Sequence, residues 1–406
     1  MLTTPKANRL HISIFGKRNA GKSSLINALT NQPISVVSDT PGTTTDPVSK
    51  SMELLPLGPI VIIDTAGLDD EGELGNLRIE KTKEVMEKTD LAVLVFSAGD
   101  SNTNQEKEWF QDLKEKNIPV IGVINKIDIY ESNLDLLKRD FDITFVEVSS
   151  TERKNISKLK EAIINNAPMD FEKTSILGDI VKPKDRVILV APQDIQAPKG
   201  RLILPQVQII RDILDHDALA LTVKDSELED ILSSLNNEPD LIITDSQMFK
   251  EVNASIPTHL KLTSFSILMA RHKGDLDLYI AGAKAINTLK PNDKILISEA
   301  CTHHPLKGDI AREKLPKLLE KKCGGKLDID VITGSNFPKD LSKYKLILQC
   351  GSCMFTRRQL LSRLEIIKSF NVPVTNFGVA LAELNGILAV SYTHLPSPRD
   401  YAASRM

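Results

Sequence analysis

Three of the four cysteines in this 406-residue chain form a pattern that could bind a metal. Cys301-x-His303 is followed, 46 residues later, by Cys350-x-x-Cys353. In a chain without a secretory signal, thiolates grouped in this way bind metal more often than they form disulfides, because cytosolic thiols are kept reduced. The set fits a structural zinc or a 4Fe-4S cluster in which one iron lacks a cysteine, and its spacing leaves both alternatives open. Cys323 lies outside the pattern and is interpreted as a bystander.

A second set of residues, near the N-terminus, has the spacing of a phosphate-binding loop. Residues 16–23 have the sequence GKRNAGKS, which matches the motif GxxxxGK[ST] between an apolar run and a helical pattern. The glycines let backbone N–H groups face the β-phosphate, while Lys22 is predicted to bridge the β- and γ-phosphates and Ser23 to bind Mg²⁺. The predicted nucleotide-binding residues of this loop are Gly16, Asn19, Ala20, Gly21, Lys22, Ser23 and Ser24.

The sequence DTAG, from Asp64 to Gly67, supplies a further contact with the phosphates. It follows the apolar run 60–63, which has the composition of a buried strand. Asp64 can hold Mg²⁺ through a water molecule, and the Gly67 N–H can meet the γ-phosphate. We therefore expect both residues to act with Lys22 in hydrolysis.

The sequence NKID, from Asn125 through Lys126 to Asp128, identifies the nucleotide base. The carboxylate of Asp128 can accept hydrogen bonds from both N1–H and the exocyclic N2–H of guanine, whereas adenine has the wrong donor pattern. A buried carboxylate without a partner is costly, so we expect GTP and GDP to bind and ATP to be rejected. Ser149 and Ser150 follow the next predicted strand, at the place from which a backbone N–H reads guanine O6.

Alternating strand and helix patterns must position these motifs. Apolar runs at 10–15, 60–63, 91–96, 120–124 and 144–148 alternate with helical or polar segments, which predicts a parallel sheet covered on both faces. Two more such series follow, and we expect residues 262–271, near the start of the last one, to be helical. We predict an α/β protein of three α/β domains: a P-loop GTPase fold at 1–168, a middle domain at 180–256 with a structural or oligomeric role, and a parallel-sheet domain at 257–390 that carries the cysteines. Residues 391–406 show no packing face and are interpreted as a cloning scar, an adaptor read-through or a disordered tail.

Composition excludes several classes of protein. The net charge is −3 and no dense Lys/Arg cluster occurs, so nucleic acid is not an expected partner. No apolar run approaches the roughly 20 residues that a membrane-spanning helix needs. The N-terminal residues are polar and do not resemble a signal peptide. These features predict a cytoplasmic protein without a membrane partner.

The nucleotide motifs resemble those of the Era and TrmE-type GTPases. Residues 41–46 (PGTTTD) are similar to the first switch of that branch and place Thr44 at its Mg²⁺-binding threonine, although Thr45 stands where the family usually has arginine. Asn19 occupies the position of a K⁺ ligand in potassium-stimulated members; the alternative is that it only tightens the turn. Leu68 stands where Ras-like proteins have a water-positioning glutamine. The resemblance therefore implies weak, K⁺-stimulated GTP hydrolysis, with Lys22, Thr44, Asp64 and Gly67 in catalytic roles.

The chain up to about residue 390 resembles the HydF family, the GTPases that mature FeFe-hydrogenases, because a GTPase of this type is followed by a middle α/β domain and then by CxH and CxxC. The resemblance implies that Cys301, Cys350 and Cys353 hold a 4Fe-4S cluster, which makes 257–390 an iron-sulfur domain and 180–256 a dimerisation domain. His303 and Glu383 are candidates for the fourth ligand, and a solvated helical position is the alternative for Glu383.

Many HydF members have histidine where this chain has Gln349, which argues against an obligatory second histidine ligand and leaves His303, His304 or water for the fourth iron. The resemblance also implies a homo-oligomeric scaffold that carries the di-iron precursor of the hydrogenase active site. Its expected partners are two radical-SAM maturases and the apo-FeFe-hydrogenase. A GTPase that acts on RNA or ribosomes, with a structural zinc site, is the alternative.

Overall fold

The computed structural model describes residues 9–30, 48–65, 82–168, 175–192, 202–300, 309–334, 337–338 and 340–396. These residues belong to two compact units, Met1–Lys173 and Thr174–Met406. Each unit is described separately below. No helix in the described ranges is long and apolar enough to cross a membrane.

The N-terminal unit contains a six-stranded sheet of order β2-β3-β1-β4-β5-β6, in which only β2 is antiparallel. Its strands are β1 Leu10–Phe15, β2 Val48–Leu54, β3 Gly58–Asp64, β4 Leu91–Ser97, β5 Val120–Asn125 and β6 Thr144–Glu147. Its helices are α1 Lys22–Thr30, α2 at 82–88, α3 Asn104–Glu115, α4 Leu134–Asp140 and α5 Ile156–Asn166. One apolar core packs α1 and α5 on one face of the sheet, and a second core packs α2, α3 and α4 on the other.

This architecture confirms the predicted α/β class and the P-loop GTPase-like N-terminal fold. Each predicted strand of this unit is present, because strands buried on both faces are continuously apolar in sequence. The edge strand β2 was not predicted. It has mixed polarity (VSKSMEL) because one side of an edge strand faces solvent.

The C-terminal unit contains two four-stranded parallel sheets. The middle sheet has the order β10-β9-β7-β8, with β7 Arg186–Val190, β8 Leu219–Val223, β9 Leu241–Thr244 and β10 Leu262–Ser264. The C-terminal sheet has the order β12-β11-β13-β14, with β11 Lys294–Glu299, β12 Asp328–Thr333, β13 Leu346–Gln349 and β14 Val374–Asn376. One apolar core extends from the middle sheet into the C-terminal sheet, so the two sheets form one compact unit.

Most helices of this unit connect its parallel strands, and the last two follow β14. They are α6 Leu204–Asp215, α7 Leu228–Ser234, α8 Phe249–Ser255, α9 Phe265–Lys273, α10 Leu276–Ala283, α11 Leu315–Cys323, α12 Arg357–Ser369, α13 Phe377–Leu384 and α14 Leu388–Tyr392. Short 3₁₀ turns occupy Asp225–Glu227 and Lys284–Thr288, and a π-helical turn at Ile310–Lys314 precedes α11.

The start of the third segment differs from the sequence expectation. Residues 262–271 were expected to be helical and to belong to the domain beginning at 257. Instead, β10 pairs with β9, with Leu262 opposite Ile242, and the helix begins only after Ser264, whose Oγ accepts a hydrogen bond from the Ile267 N–H. A three-residue strand is too short to show a period, so its pairing was not visible in the sequence.

The expectation that residues 391–406 lack a packing face is wrong for 391–396. Thr263 Oγ1 donates to the Ser391 carbonyl at 2.9 Å, and Arg271 Nε donates to the Pro396 carbonyl at 3.1 Å. Leu395 packs against the apolar cores of this unit. The two hydrogen bonds use backbone carbonyls, which no side-chain pattern reveals. Residues 397–406 lie outside the described ranges.

Candidate functional site

Two glycines give the loop between β1 and α1 its shape. Gly16 has φ +152° and Gly21 has φ +92°, backbone conformations that side-chain-bearing residues rarely adopt. A Cβ on Gly16 would lie 2.5 Å from the Val95 carbonyl oxygen, and one on Gly21 would clash with the Asn125 side-chain amide. The loop therefore passes close against β4 and β5, as a phosphate-binding loop requires.

Lys22 is held inside this loop. Its side chain is buried, and Nζ donates to the Gly16 carbonyl at 2.5 Å and to the Lys17 carbonyl at 2.7 Å. These carbonyls keep the ammonium at the centre of the loop, where it can exchange them for phosphate oxygens.

Two of the three predicted Mg²⁺ contacts, Ser23 and Asp64, are brought together from different elements. Ser23 Oγ donates to Asp64 Oδ2 at 2.9 Å, although 41 residues separate them. Burial raises the pKa of Asp64, and this effect is partly offset by the Ser23 hydrogen bond and by the charge of Lys22. A hydroxyl beside a carboxylate is a suitable pair of oxygen ligands for Mg²⁺.

Asn125 links the phosphate loop to the loop that follows β6. Its Nδ2 donates to the Ala20 carbonyl at 3.0 Å, and its Oδ1 accepts from Ser150 N at 3.1 Å and from Ser150 Oγ at 2.9 Å. The Ser149 amide donates to the Lys154 carbonyl at 3.3 Å. Both serine amides thus have protein partners, and their contact with guanine O6 stays a prediction.

Some of the remaining predicted nucleotide contacts lie in the described residues, and others lie outside them. Lys126 has a left-handed φ of +67° and Asp128 is exposed, so its carboxylate is accessible to a base. Asn19 has φ +60° and is exposed, at the outer turn of the loop. Thr44 and the rest of residues 41–46 lie outside the described residues, as do Gly67 and Leu68.

Lys17, a variable position of the loop motif, has a contact that its sequence pattern does not predict. Its Nζ lies 3.3 Å from Glu106 Oε2 and 3.2 Å from Asp100 Oδ2. Glu106 is buried in the first turn of α3. A buried acid on an amphipathic helix looks like any surface acid in sequence, so only the acidic first turn of α3 could have drawn attention to it.

The second candidate site lies where β11 and β13 end. Cys350 N donates to the Ser298 carbonyl at 2.9 Å, and Cys350 Sγ accepts hydrogen bonds from Ala300 N at 3.1 Å and Ser352 N at 3.4 Å. Burial raises the pKa of Cys350, and the two amides partly offset this effect. Amide donors to sulfur are the environment that favours a metal-bound thiolate.

The contacts of Cys350 bear on whether the three cysteines can share one site. Cys301 directly follows Ala300, whose backbone amide donates to Cys350 Sγ. Ser352 has a left-handed φ of +50°, which turns the Cys350-x-x-Cys353 loop. Cys301, His303 and His304 themselves lie outside the described residues, and those that are described contain no group of three or more His, Cys, Asp or Glu suited to a metal. The structure therefore describes the surroundings of Cys350 and Cys353, and a cluster shared with Cys301 stays a prediction.

A buried lysine adjoins this site. Lys273, at the end of α9, is 4% exposed, and its Nζ donates to the Phe355 carbonyl at 3.4 Å. Burial lowers the pKa of Lys273, while the nearby Cys353 acts in the opposite direction. The cysteine loop therefore has a positive neighbour.

Three other residues discussed above have hydrogen-bond partners of their own. Glu383 Oε1 accepts from Asn287 Nδ2 at 2.6 Å, and Asn287 belongs to the turn that leads into the amino end of β11, whereas the cysteines follow carboxyl ends. Gln349 Oε1 accepts from the buried Tyr279 hydroxyl at 3.0 Å. Cys323 ends α11, and its Sγ donates to the Gly325 carbonyl at 3.1 Å.

Comparison with known families divides the chain into three parts. Residues 176–274 match the family model described as the hydrogen maturase F dimerization domain, and residues 277–393 match the hydrogen maturase F tetramerization domain. Together these two models span more than half of the chain. Residues 11–126 match the model described as a 50S ribosome-binding GTPase.

Similar proteins are found for the N-terminal part. The tRNA modification GTPase MnmE of Thermoanaerobacter sp. (strain X514) is 37% identical over 185 residues, which are 44% of this chain and 37% of that protein. MnmE of Thermotoga maritima is 34% identical over 172 residues, covering 41% of this chain and 37% of the relative. The chain thus spans little more than a third of these relatives. A solved structure of an Era variant from Aquifex aeolicus, bound to GDP and aluminium fluoride, is 20% identical with a TM-score of 0.37 and covers 53% of this chain and 94% of Era.

Proposed function

This chain belongs to the hydrogen maturase F family, and on that premise we propose that it is a GTP-hydrolysing scaffold for FeFe-hydrogenase maturation. The scaffold binds a 4Fe-4S cluster and assembles or delivers the di-iron subcluster of the hydrogenase active site. The observation that carries the proposal is the pair of amide hydrogen bonds to Cys350 Sγ, one of them from the residue that precedes Cys301.

The nucleotide site supports binding of GTP with Mg²⁺. Ser23 and Asp64 supply neighbouring oxygen atoms for the metal, with Thr44 as a third contact, and Lys22 neutralises phosphate charge as it leaves the loop carbonyls. Asn125 fixes the phosphate loop relative to the loop after β6 through its hydrogen bonds to Ala20 and Ser150. The exposed Asp128 selects guanine. Hydrolysis is weak because Leu68 cannot orient water, and K⁺ held by Asn19 adds the missing positive charge.

The cysteine site supports the scaffold role. Cys301, Cys350 and Cys353 would hold the cluster, and the backbone amides of Ala300 and Ser352 would stabilise the Cys350 thiolate. The cluster supplies an iron with an exchangeable fourth ligand, for which His303 or water is our candidate. The Glu383 contact with Asn287 gives no support to that residue in this role.

The assembly and its partners follow from the family. We propose that the segment 176–274 forms a dimer and the segment 277–393 a higher homo-oligomer, in the cytoplasm. The transient partners are the radical-SAM maturases, which supply the di-iron precursor, and the apo-FeFe-hydrogenase, which receives it. GTP state then regulates the exchange of these partners.

Anaerobic purification followed by metal analysis and electron paramagnetic resonance tests the cluster. We expect about four iron and four sulfide per chain and a cluster that can be reduced. Cys350→Ala should lose this signal, whereas Cys323→Ala, the matched control, should retain it. One zinc per chain and no reducible cluster would instead support the alternative, an Era- or MnmE-like GTPase that acts on RNA or ribosomes.

Nucleotide assays test the other half of the proposal. GTP hydrolysis should be faster in K⁺ than in Na⁺ buffer, and Asp128→Asn should weaken GTP binding while the iron content is unchanged. Equal turnover in the two salts would contradict the role of Asn19.

A further inference from the structure

A buried ion pair joins the phosphate loop to α3. Lys17 Nζ contacts Glu106 Oε2 at 3.3 Å and Asp100 Oδ2 at 3.2 Å, and it also donates to the Asn102 carbonyl. Glu106 is 3% exposed and the Lys17 side chain 18% exposed, so water reaches this pair poorly. Eighty-nine residues separate the two charges in sequence, and the contact exists only in the fold.

Glu106 would be costly in this position without Lys17. Burial raises the pKa of Glu106, and its own backbone N–H and the Lys17 ammonium partly offset this effect. Although partial burial favours the neutral amine, Glu106 and Asp100 together raise the pKa of Lys17. Removal of Lys17 leaves the Glu106 carboxylate buried without its cation, whereas removal of Glu106 leaves Lys17 paired with the more exposed Asp100, so loss of the lysine is the costlier change.

The same lysine shapes the phosphate site through its backbone. The Lys17 carbonyl accepts from Lys22 Nζ at 2.7 Å and from the Ala20 N–H at 3.3 Å. Lys17, whose side chain is held by α3, therefore positions the Lys22 ammonium that contacts the phosphates. A shift of the Lys17 backbone would move the resting position of Lys22.

A further hydrogen bond extends this connection to the base side of the site. Asn133 Nδ2 donates to the Asp100 carbonyl at 2.8 Å, and Asn133 follows the loop that carries Asp128. The phosphate loop and the base loop are thus both anchored to the segment that enters α3.

We propose that Lys17 and Glu106 are positioning residues, whose ion pair holds the phosphate loop in its nucleotide-binding shape and makes nucleotide release depend on the position of α3. This inference rests on the proposed guanine-nucleotide binding. It assigns the pair to retention of the nucleotide and leaves the hydrolytic step to other residues.

The test compares full-length Lys17→Met, Glu106→Gln and the double variant with the wild type. Glu108→Gln is the matched control, because Glu108 is an exposed acid on the same helix. The measurements are the dissociation rate of a fluorescent GDP analogue, KM and kcat for GTP, and the thermal midpoint. A purely structural role would change the thermal midpoint without separating KM from kcat.

We expect each single variant to release GDP about tenfold faster and to raise KM more than it lowers kcat. The double variant should be no worse than Lys17→Met, which already removes every contact of the lysine side chain. Dissociation rates unchanged in folded single variants, or effects that multiply in the double variant, would overturn the proposal.

Glu106→Asp covers the case in which the neutral variants do not fold. It keeps the charge but draws the carboxylate away from Lys17, so faster GDP release is expected, and an unchanged rate would count against the pair. Wild-type protein that binds no GDP would instead refute the proposed function itself.

Discussion

His272 should make the stability of the C-terminal unit depend on pH. Its Nδ1 is buried and has no hydrogen-bond partner among the described residues. Burial lowers the pKa of His272 to about 4, and the positive charges of Lys273, Arg357 and Arg271 act in the same direction. The folded protein therefore keeps this imidazole neutral at a pH at which the unfolded chain has already bound a proton.

The sign and size of the effect follow from proton linkage. An unfolded histidine titrates near 6.5, so as the pH falls below that value the unfolded state gains a proton that the folded state does not bind, and stability falls until about pH 4. Between pH 7.5 and pH 5 this one residue should cost about 2 kcal/mol of unfolding free energy. Above pH 7 its contribution should be constant.

Urea unfolding of wild type and His272→Gln at pH 7.5 and pH 5 measures the effect. Circular dichroism follows the whole chain, while the single tryptophan, Trp109, reports only on the N-terminal unit. The wild type should lose about 2 kcal/mol more than His272→Gln between the two pH values. His259→Gln, which alters an exposed histidine, is the control. Equal pH dependence of His272→Gln and wild type would refute the reasoning.

Two glycine substitutions test close backbone approaches. Gly282→Ala should destabilise the C-terminal unit by about 1–3 kcal/mol in urea unfolding, because a Cβ would lie 2.5 Å from the Val374 carbonyl carbon and overpacking exceeds the gain in helix propensity. The exposed control Ala281→Gly should cost only about 1 kcal/mol, and equal stability of Gly282→Ala would contradict the clash. Gly21→Ala should weaken GDP binding about tenfold in titrations, since a left-handed φ and the Asn125 amide oppose a side chain there; unchanged affinity would show that the loop can adapt.

Local patterns predicted the strands and the nucleotide loop well. The strands β1, β4 and β5 are buried on both faces, so their sequences are continuously apolar and easily recognised. The phosphate loop depends on glycines at Gly16 and Gly21, and their residue types reflect backbone conformations that other residues avoid. The order of motifs along the chain then indicated a parallel sheet.

Contacts between distant segments were predicted less well. Glu383 was a candidate cluster ligand because it follows a strand of the cysteine-bearing sheet, yet its carboxylate binds Asn287. Seven residues of helix carry a side chain about 10 Å from the strand end, so placement on the same element did not imply the same edge. The strand β10 was not predicted because its three residues are identified as a strand only by their pairing with β9.

Residue types and their spacing were sufficient to identify a guanine-nucleotide fold and a thiolate-rich segment, because these features depend on backbone conformation and side-chain chemistry within a few residues. The tertiary structure decided which distant groups meet. It placed Ser23 beside Asp64, the Ala300 amide on Cys350 Sγ and Lys17 against Glu106. Such pairs depend on strand order and helix packing, and the energy of a buried charge or thiolate is set by the neighbours that the fold supplies.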